Sequence, residues 1–469
     1  MKVIPLILRL CTIVSCPLAA QEPTERPNFV IIFTDDQGYG DLGCYGADHV
    51  STPRIDRMAK EGARLTSFYV AAPVCTPSRA ALMTGCYPKR IDMATGSEHG
   101  VLLAADRKGL NPDEVTIAEV LKSAGYKTGI FGKWHLGDQP EFLPTRQGFD
   151  KYFGIPYSHD IHSFHPRQSH YNFPQLPLLE DETVIEMEPD ADFLTKRITE
   201  NAIKFIEANK DEPFFVYIPH PIPHAPLHAS PPFMEGVDEA TVAKLEQEDG
   251  YIDYRERNKI FRQAIAEIDW SVGQVLDTIK ANRLDENTLV IFTSDNGPPK
   301  NSIHASPGIL RGNKGSTLEG GMREPTVIRW PGRIPAGKDN DELMTTMDLL
   351  PTFAGLAGAK VPDDRDIDGV DVWPVLTGDA ETPHEAFFYY SANKLHAVRS
   401  GKWKLHWNKQ GKPAQLFDLE IDVAEKNNLL ASEPEVVKRL SGLMQKFDNN
   451  LAGKIRPAGY VKNAVALKK

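Results

Sequence analysis

The 469-residue sequence is poor in cysteine, in long apolar runs and in positive charge. It contains 5 cysteines, and only Cys44, Cys75 and Cys86 follow residue 20, too few for a disulfide framework. The sequence leaves open whether Cys44 and Cys86 pair. No later stretch is apolar enough for the roughly 20-residue span of a membrane helix. A net charge of −11, from 53 basic and 64 acidic residues, argues against nucleic acid as a partner.

Residues 1–20 have the composition of a secretory signal peptide. Lys2 and Arg9 flank an apolar run that is too short to span a membrane, and the segment ends in PLAA. We expect cleavage after Ala20. The letters IVSC also resemble the lipobox of bacterial lipoproteins, so attachment through Cys16 is the alternative. In either case the sequence predicts an exported protein, periplasmic or secreted.

The rest of the chain has the pattern of an α/β protein. Continuous β-branched and aromatic runs predict strands buried on both faces at 28–34, 127–132, 213–219, 289–293 and 326–330. Helical spacing predicts helices at 52–62, 115–124, 193–209 and 258–283. Helices that alternate with buried strands predict a large, mainly parallel sheet between helices. We assign this catalytic domain to residues 21–383.

Two regions depart from this alternation of helices and buried strands. Short strands with tight turns at 386–390, 396–400 and 402–407, then a helix at 433–449, predict a small C-terminal antiparallel sheet with one helix, in a subdomain of residues 384–469. The segment 156–189 is rich in His, Pro and Tyr and has no clear period. We predict a loop there and assign it to substrate recognition, because long loops in compact domains often carry function.

The segment 75–85 reads CTPSRAALMTG and is the most informative stretch. Pro77 suits the first turn of a helix, where its missing N–H costs nothing. Cys75 would then lie just before a helix N-terminus, where free N–H groups and the dipole depress a thiol pKa. Taken alone, Cys75 could equally be an ordinary buried cysteine beside a helix cap.

Acidic and amide side chains follow two of the predicted strands. Asp35 and Asp36 come directly after the first strand, and Asp295 and Asn296 follow the strand at 289–293. Ligands bind beyond the carboxyl ends of such strands, and these oxygen ligands suit Ca²⁺ or Mg²⁺ rather than zinc. Either pair alone would more often be a turn. Together they predict a metal site, because converging carboxylates repel without a cation between them.

Three basic residues are candidates for binding an anion. Arg79 lies one turn into the helix at Cys75, Lys133 lies between two glycines, and Lys314 lies in a Gly-rich loop. Each alone would more often be a surface charge. Fixed cations around an anionic group would stabilise the charge that spreads over its oxygens during a transfer reaction.

Several histidines follow strands in constrained loops, where they could transfer protons. The first candidates are His135 and His224, and the secondary ones are His220 and His228. If the backbone stays extended, Lys133 and His135 point to the same side.

These motifs together resemble the sulfatase family. Its signature C-x-P-S-R, followed by A-x-x-x-T-G, matches 75–85, and further similar segments are 29–46, 132–137, 147–150, 293–298 and 314–325. The resemblance runs from residue 27 to about 430 and includes the arylsulfatase A and N-acetylgalactosamine-6-sulfatase branches. It implies an alkaline-phosphatase-like fold with a small C-terminal subdomain. It also implies an exo-sulfatase that hydrolyses sulfate monoesters of a carbohydrate or another small molecule.

The resemblance also implies roles for individual residues. A maturation enzyme would oxidise Cys75 to formylglycine, whose hydrate is the nucleophile. The implied ligands of Ca²⁺, with Mg²⁺ as the alternative, are Asp35, Asp36, Asp295, Asn296 and the modified Cys75. Arg79 and Lys133 would hold the formylglycine, and the implied substrate-binding residues are Lys133, Ser158, His224 and Lys314.

In the implied mechanism, one hydroxyl of the hydrate attacks sulfur while His224 or Lys314 protonates the leaving alcohol. His135 then takes the proton of the second hydroxyl, which expels sulfate and regenerates the aldehyde. Two alternatives remain at this point: a formylglycine-dependent phosphonate or phosphate ester hydrolase, and an inactive carbohydrate-binding relic. Assembly into a homo-oligomer is left open.

Overall fold

The computed structural model describes residues 26–247, 253–300, 302 and 304–469, so the signal peptide predicted at 1–20 lies outside the described residues. The helices, numbered α1 to α12 in chain order, are Pro53–Glu61, Cys75–Thr84, Ile117–Ser123, Gln168–Tyr171, Leu194–Ala208, Glu239–Leu245, Tyr254–Arg257, Phe261–Ala281, Glu319–Met322, Leu349–Ala357, Trp373–Leu376 and Pro434–Ala452. The strands, numbered β1 to β18, are Asn28–Thr34, Ala63–Leu65, Phe68–Tyr69, Lys108–Gly109, Lys127–Lys133, Lys151–Ile155, Pro177–Glu180, Thr183–Met187, Phe214–Pro219, Thr288–Ser294, Thr326–Arg329, Lys338–Asn340, Met344–Thr345, Phe387–Ser391, Lys394–Ser400, Trp403–Trp407, Pro413–Asp418 and Gly459–Tyr460.

In the described part of the chain, one mixed sheet has the strand order β12-β2-β11-β10-β1-β9-β5-β6-β7-β8. Its centre is parallel, from β10 through β1, β9 and β5 to β6. Strands β11 on one side and β7 on the other run antiparallel to this centre. Of these central strands, β10, β1, β9 and β5 are predicted by the apolar runs, because a strand covered on both faces needs no polar alternation. Strand β6 was not predicted. The predicted parallel sheet is therefore confirmed in the centre and becomes mixed toward its edges.

Strand β1 divides its side chains between two hydrophobic cores. Phe29, Ile31 and Phe33 pack with α2, α3 and α10 on one face. Val30 and Ile32 pack with α1, α5 and α8 on the other. Full burial of one such side chain stabilises the fold by about 1.5–3 kcal/mol. The sheet is therefore held between two helical layers, which fixes the position of the residues that follow β1.

The predicted helices begin and end within one to three residues of the observed ones. Helix α1 has Pro53 in its first turn. Helix α3 begins with a capping box, in which Thr116 and Glu119 each satisfy a backbone N–H of the other. These local signals are strong enough to be read from the sequence alone.

The region 156–189 is not the loop that its composition predicts. It contains α4 and the antiparallel pair β7 and β8, which extends the large sheet at its edge. These strands are short and partly exposed, so they lack the long run of apolar residues that marks a central strand. Helix α10 was also not predicted, and it contains Pro351 and Gly355, which weaken a helical pattern.

The C-terminal region forms an antiparallel sheet, β14-β15-β16-β17, with α12 packed against it. The sequence predicts three of these strands and the helix but not β17. The chain then returns to the large sheet's side of the molecule, where β18 pairs with β4. There the Arg456 guanidinium donates to the Glu114 carboxylate at 2.7 and 2.9 Å. The last residues thus contact the part of the chain that contains the large sheet.

A buried polar network, centred on Glu319 of α9, joins the small sheet to the large one. The Glu319 carboxylate accepts hydrogen bonds from Lys404 Nζ at 2.8 Å, Tyr389 Oη at 2.8 Å and Tyr69 Oη at 2.6 Å. The Glu319 amide donates to Glu425 Oε2 at 2.7 Å. All five side chains are buried. Removal of one partner from such a network leaves an uncompensated buried charge, which is costly. The network therefore fixes α9 relative to the small sheet.

The described cysteines Cys44, Cys75 and Cys86 are all free, so Cys44 and Cys86 do not pair. Among the described residues, no helix has the length and apolar character to cross a membrane.

Glu267 of α8 gives a pH-dependent contribution to stability. Its carboxyl accepts hydrogen bonds from Ser230 N and Oγ at 2.7 and 2.8 Å, and burial raises its pKa to about 7. Since the unfolded carboxyl has a pKa near 4.5, the contribution of Glu267 is full below that pH and is lost as the pH rises to about 7. The loss amounts to up to about 3 kcal/mol of the free energy of unfolding, and we expect Glu267→Gln to abolish it. Denaturant unfolding at pH 5 and pH 8 measures it.

The exposed Glu207→Gln is the matched control, because Glu207 lies on the solvent side of α5. It should leave the difference between the two pH values as in the wild type. An unchanged pH dependence in Glu267→Gln would contradict the assignment.

Candidate active site

The ends of β1 and β10 bring two acidic segments together. The two strands are parallel neighbours, with Thr34 beside Ser294. Asp36 N donates to Asp295 Oδ1 at 3.2 Å, and Asn296 Nδ2 donates to Asp36 Oδ1 at 2.7 Å. Asp36 has a left-handed backbone with φ +67°, a conformation that costs energy and is frequent at functional sites. The convergence predicted for Asp35, Asp36, Asp295 and Asn296 is present in the structure.

Cys75 lies at the same place. Its sulfur and one oxygen each of Asp35 and Asp295 lie within 4.8 Å of one another, as do ligand atoms of Asp35, Asp36 and His224. Cys75 is the first residue of α2 rather than the residue before it. Burial raises the pKa of its thiol, and the nearby Lys133 and Lys314 only partly oppose this. The predicted depression of the thiol pKa is therefore wrong, since desolvation outweighs the helix terminus.

Arg79 lies one turn further along α2 and is fully buried. Its Nε and Nη2 atoms donate to Asp295 Oδ2 at 3.1 and 2.8 Å, and Nη1 donates to the Lys133 carbonyl at 3.0 Å. Burial opposes the charge, but Asp295 raises the pKa of Arg79 further above its ordinary value. Arg79 thus carries a permanent positive charge that ties α2 to both β5 and β10.

Lys133 ends β5 and forms an ion pair with Asp35 in the interior. The preceding Gly132 has φ +135°, and a Cβ there would lie 2.1 Å from the Pro219 carbonyl oxygen. Only glycine allows this close approach of β5 and β9. It positions Lys133 at the cluster.

Lys314 approaches from the Gly-rich loop. Lys314 N donates to the Pro298 carbonyl at 2.9 Å and Gly315 N donates to the Pro73 carbonyl at 2.8 Å, which holds this loop against the turn before Cys75. The Lys314 ammonium donates to Asp36 Oδ1 at 2.6 Å. Burial opposes its charge, but Asp36 holds the pKa of Lys314 well above its ordinary value.

The carboxylates of the cluster differ in their protonation. Burial and then the negative charge of Asp35 raise the pKa of Asp295 to about 7. For Asp35 burial acts in the same direction, but Lys133 and His224 hold its pKa well below its ordinary value. Close carboxylates in the interior therefore compete for protons, as expected where a cation would neutralise them.

The oxygen atoms of this cluster fit a hard cation. Asp35 Oδ1 and Asn296 Oδ1 are buried and accept no hydrogen bond within the described residues. Buried oxygens without a partner are costly, and a Ca²⁺ or Mg²⁺ ion would use them as ligands.

His135 has its tautomer fixed by the backbone. Nε2 lies 2.8 Å from the Leu102 carbonyl, which can only accept, so Nε2 carries the proton. Nδ1 is buried and has no partner among the described residues, which leaves it as an acceptor. Burial and then the charge of Lys133 hold the pKa of His135 well below its ordinary value. The strand ends at Lys133 and His135 has φ +62°, so the extended backbone assumed for these two residues is absent.

The loop after β9 contributes one histidine to the cluster. The Nδ1 atom of His224 lies 2.7 Å from the Ala225 carbonyl, and Nε2 lies 3.6 Å from Asp36 Oδ2. Of the secondary candidates, His220 hydrogen-bonds Ser271 Oγ of α8 at 3.0 Å and His228 binds the Asp192 carboxylate at 2.7 Å. Both of these contacts are with residues outside the acidic cluster.

Ser158 Oγ is buried and has no hydrogen-bond partner among the described residues. Asp160, two residues further on, is a neighbour of the site that sequence reasoning missed. Burial raises the pKa of Asp160, but the charges of His224 and His159 hold it well below its ordinary value. The positive charge of Lys133 also lowers the pKa of Asp160. Its place two residues after Ser158 was the available signal. The Leu102 carbonyl, which orients His135, is a backbone group and has no signal in the sequence.

Comparison with known proteins shows the family of this chain. The sequence profile of the Sulfatase family matches residues 27–359, and a profile described as N-sulphoglucosamine sulphohydrolase, C-terminal, matches residues 313–450. Arylsulfatase A of Homo sapiens is 38% identical over 467 residues, which cover 89% of this chain and 87% of the relative. N-acetylgalactosamine-6-sulfatase of Canis lupus familiaris is 38% identical over 407 residues, covering 83% of this chain and 73% of the relative.

Among solved structures, Ps i-CgsB in complex with k-i-k-neocarrahexaose aligns with a TM-score of 0.77 and 31% identity, over 92% of this chain and 95% of that one. This match and the layers described above confirm the predicted fold class. The resemblance seen in the motifs is confirmed over most of the chain. The chain belongs to the sulfatase family and is a sulfuric ester hydrolase.

Proposed function

We propose that this sulfatase hydrolyses sulfate monoesters of carbohydrates, with a formylglycine made from Cys75 and a bound divalent cation. One observation carries the proposal: the Cys75 sulfur and the carboxylates of Asp35 and Asp295 lie within 4.8 Å of one another. A nucleophile, acidic oxygens and buried cations in one place are the parts that transfer of a charged ester group needs.

The residues that would hold the cation are Asp35, Asp36, Asp295, Asn296 and the modified residue 75. Their oxygen ligands favour Ca²⁺, with Mg²⁺ as the alternative. When bound, the cation supplies positive charge beside the reacting sulfate.

The basic residues would bind and orient the sulfate group. Lys133 pairs with Asp35 and Lys314 with Asp36, and Arg79 holds Asp295 and the end of β5 in place. Lys314 keeps its proton because Asp36 raises its pKa, so it suits charge stabilisation better than proton donation. This favours His224 as the acid that protonates the leaving alcohol. Its Nδ1 donates to the Ala225 carbonyl, so the proton that Nε2 gives up is that of the imidazolium form, with Asp36 beside it.

His135 is the base in this proposal. Its Nδ1 atom is an unprotonated acceptor, because Leu102 fixes the proton on Nε2. Its lowered pKa keeps it neutral, as a base must be before it takes a proton. Nδ1 would accept the proton whose loss releases sulfate and restores residue 75.

The choice of a carbohydrate substrate rests on the relatives. N-acetylgalactosamine-6-sulfatase is named for an amino sugar, and Ps i-CgsB was crystallised with an oligosaccharide. We also propose export, on the composition of residues 1–20, and maturation by a formylglycine-generating enzyme.

The test combines mass spectrometry with kinetics on protein made together with the maturation enzyme. Conversion to formylglycine should lower the mass of the Cys75 peptide by about 18 Da, as CH₂–SH is replaced by CHO. The converted protein should release sulfate from sulfated sugars and leave matched phosphate esters intact. An unmodified cysteine in fully active protein, or faster hydrolysis of the phosphate esters, would overturn the proposal.

A further inference from the structure

A cleft of about 380 Å³ opens between the chain after β6 and the start of α7. It is lined by His165, Pro166, Arg167, Asp253, Tyr254 and Arg255. Within the described residues, neither the Arg167 nor the Arg255 guanidinium has a carboxylate at ion-pair distance. The Arg167 guanidinium lies 5.0 Å above the Tyr171 ring, which holds it in place without neutralising it.

The one acid of this lining is already paired. The Asp253 carboxylate lies 3.0 Å from Lys244 Nζ and accepts hydrogen bonds from the Arg255 and Glu256 amides at 3.0 and 3.1 Å. The Tyr254 hydroxyl is buried and has no hydrogen-bond partner in the described part of the chain. The cleft thus offers two guanidinium groups to an incoming ligand, and its wall contains a tyrosine hydroxyl that has no partner among the described residues.

Asp160 connects the cleft with the acidic cluster. The His159 ring, next to Asp160 in the chain, lies 5.8 Å from the His224 ring, edge to face, and His165 of the cleft follows five residues after Asp160. Asp160 interacts electrostatically with His224, His165 and Tyr254. The His165 and Tyr254 rings lie 6.4 Å apart, edge to face. The same short segment therefore links the cleft to His224, where the proposed leaving group departs.

We infer that this cleft binds a second anionic group of the substrate, so that the preferred substrate is a saccharide with a carboxylate or a further sulfate near the ester that is hydrolysed. The inference rests on the proposed function. Guanidinium groups bind both kinds of oxyanion through paired, charge-assisted hydrogen bonds. Arg167 and Arg255 line this cleft and are exposed, and they are not part of the acidic cluster, which assigns them to specificity.

The experiment compares kcat/KM of the matured full-length enzyme on three sulfated disaccharides. They differ only in whether the neighbouring sugar is neutral, carries a carboxylate or carries a second sulfate. We expect kcat/KM to be at least about tenfold higher for an anionic disaccharide than for the neutral one, mainly because KM is lower. Charge-assisted hydrogen bonds to the guanidinium groups are strong enough to give a difference of this size. The disaccharide with the larger preference shows whether the cleft binds a carboxylate or a second sulfate. Added salt should reduce that preference.

The double variant Arg167→Ala/Arg255→Ala should bring the ratio between anionic and neutral disaccharides close to one. Tyr254→Phe, which keeps the ring, should lower it by a smaller factor. Arg333→Ala is the matched control, because Arg333 is exposed beyond β11 on the other half of the sheet.

Equal kcat/KM for the neutral and anionic disaccharides in the wild type would overturn the inference, and so would a preference that survives in the double variant. Such results, with 4-nitrophenyl sulfate still hydrolysed, leave the proposed function intact. Absence of hydrolysis of 4-nitrophenyl sulfate and of all three disaccharides would mean that the proposed function itself has failed.

Discussion

Cys75→Ser is expected to abolish turnover while a single sulfate ester accumulates on the protein. A serine hydroxyl at this position can attack the sulfur, but it lacks the second hydroxyl on the same carbon whose deprotonation expels sulfate. His135 then has no proton to accept from residue 75. The multiple-turnover rate should fall by at least about 10⁴-fold, as when other enzymes lose a nucleophile. Intact mass after incubation with substrate should show one added sulfuryl group.

Cys44→Ser is the control for this experiment, because Cys44 is a free cysteine at the end of the first loop and only partly buried. It should keep wild-type activity and gain no mass. Substantial turnover by Cys75→Ser would show that residue 75 is not the nucleophile.

Removal of the divalent cation should have the second largest effect. Without it, the buried carboxylates of Asp35, Asp36 and Asp295 face one another with only side-chain cations between them. A chelator should lower kcat by about 10²-fold or more, a size typical for loss of electrostatic stabilisation. It should also lower the melting temperature, because a ligand held at 100 times its Kd stabilises the fold by about 2.7 kcal/mol.

Return of Ca²⁺ or Mg²⁺ should restore both properties, and the ion that acts at the lower concentration identifies the native metal. Asp36→Asn should weaken the response of the melting temperature to that ion, while Asp48→Asn, at a fully exposed position, should not. If neither the chelator nor the added ions change the melting temperature, a metal site here is contradicted.

The sequence predicted the convergence of the acidic segments better than the surroundings of this cluster, for a physical reason. Asp35 and Asp295 directly follow long buried strands, and parallel strands end at the same edge of a sheet, so the two acids had to meet. Cys75 shows the limit of local reasoning, because its pKa depends on burial by distant segments and not only on the start of α2.

The edge of the sheet and the wall of the site were harder to predict. Strands β7 and β8 are short and exposed on one side, so tertiary contact with β6 rather than periodicity determines them. Asp160 and the Leu102 carbonyl act through neighbours that are distant in sequence. Such contacts become visible only once the chain is folded.

The buried bond between Glu319 and Lys404 spans 85 residues of sequence and has a consequence for recombination between related enzymes. A crossover near residue 383 would join Glu319 from one parent to the small sheet of another. Any mismatch at Lys404 or Glu425 would leave a buried charge unpaired, at a cost of about 3–5 kcal/mol. Viable chimeras should therefore exchange the Gly-rich loop and the small sheet together, as a single inherited block.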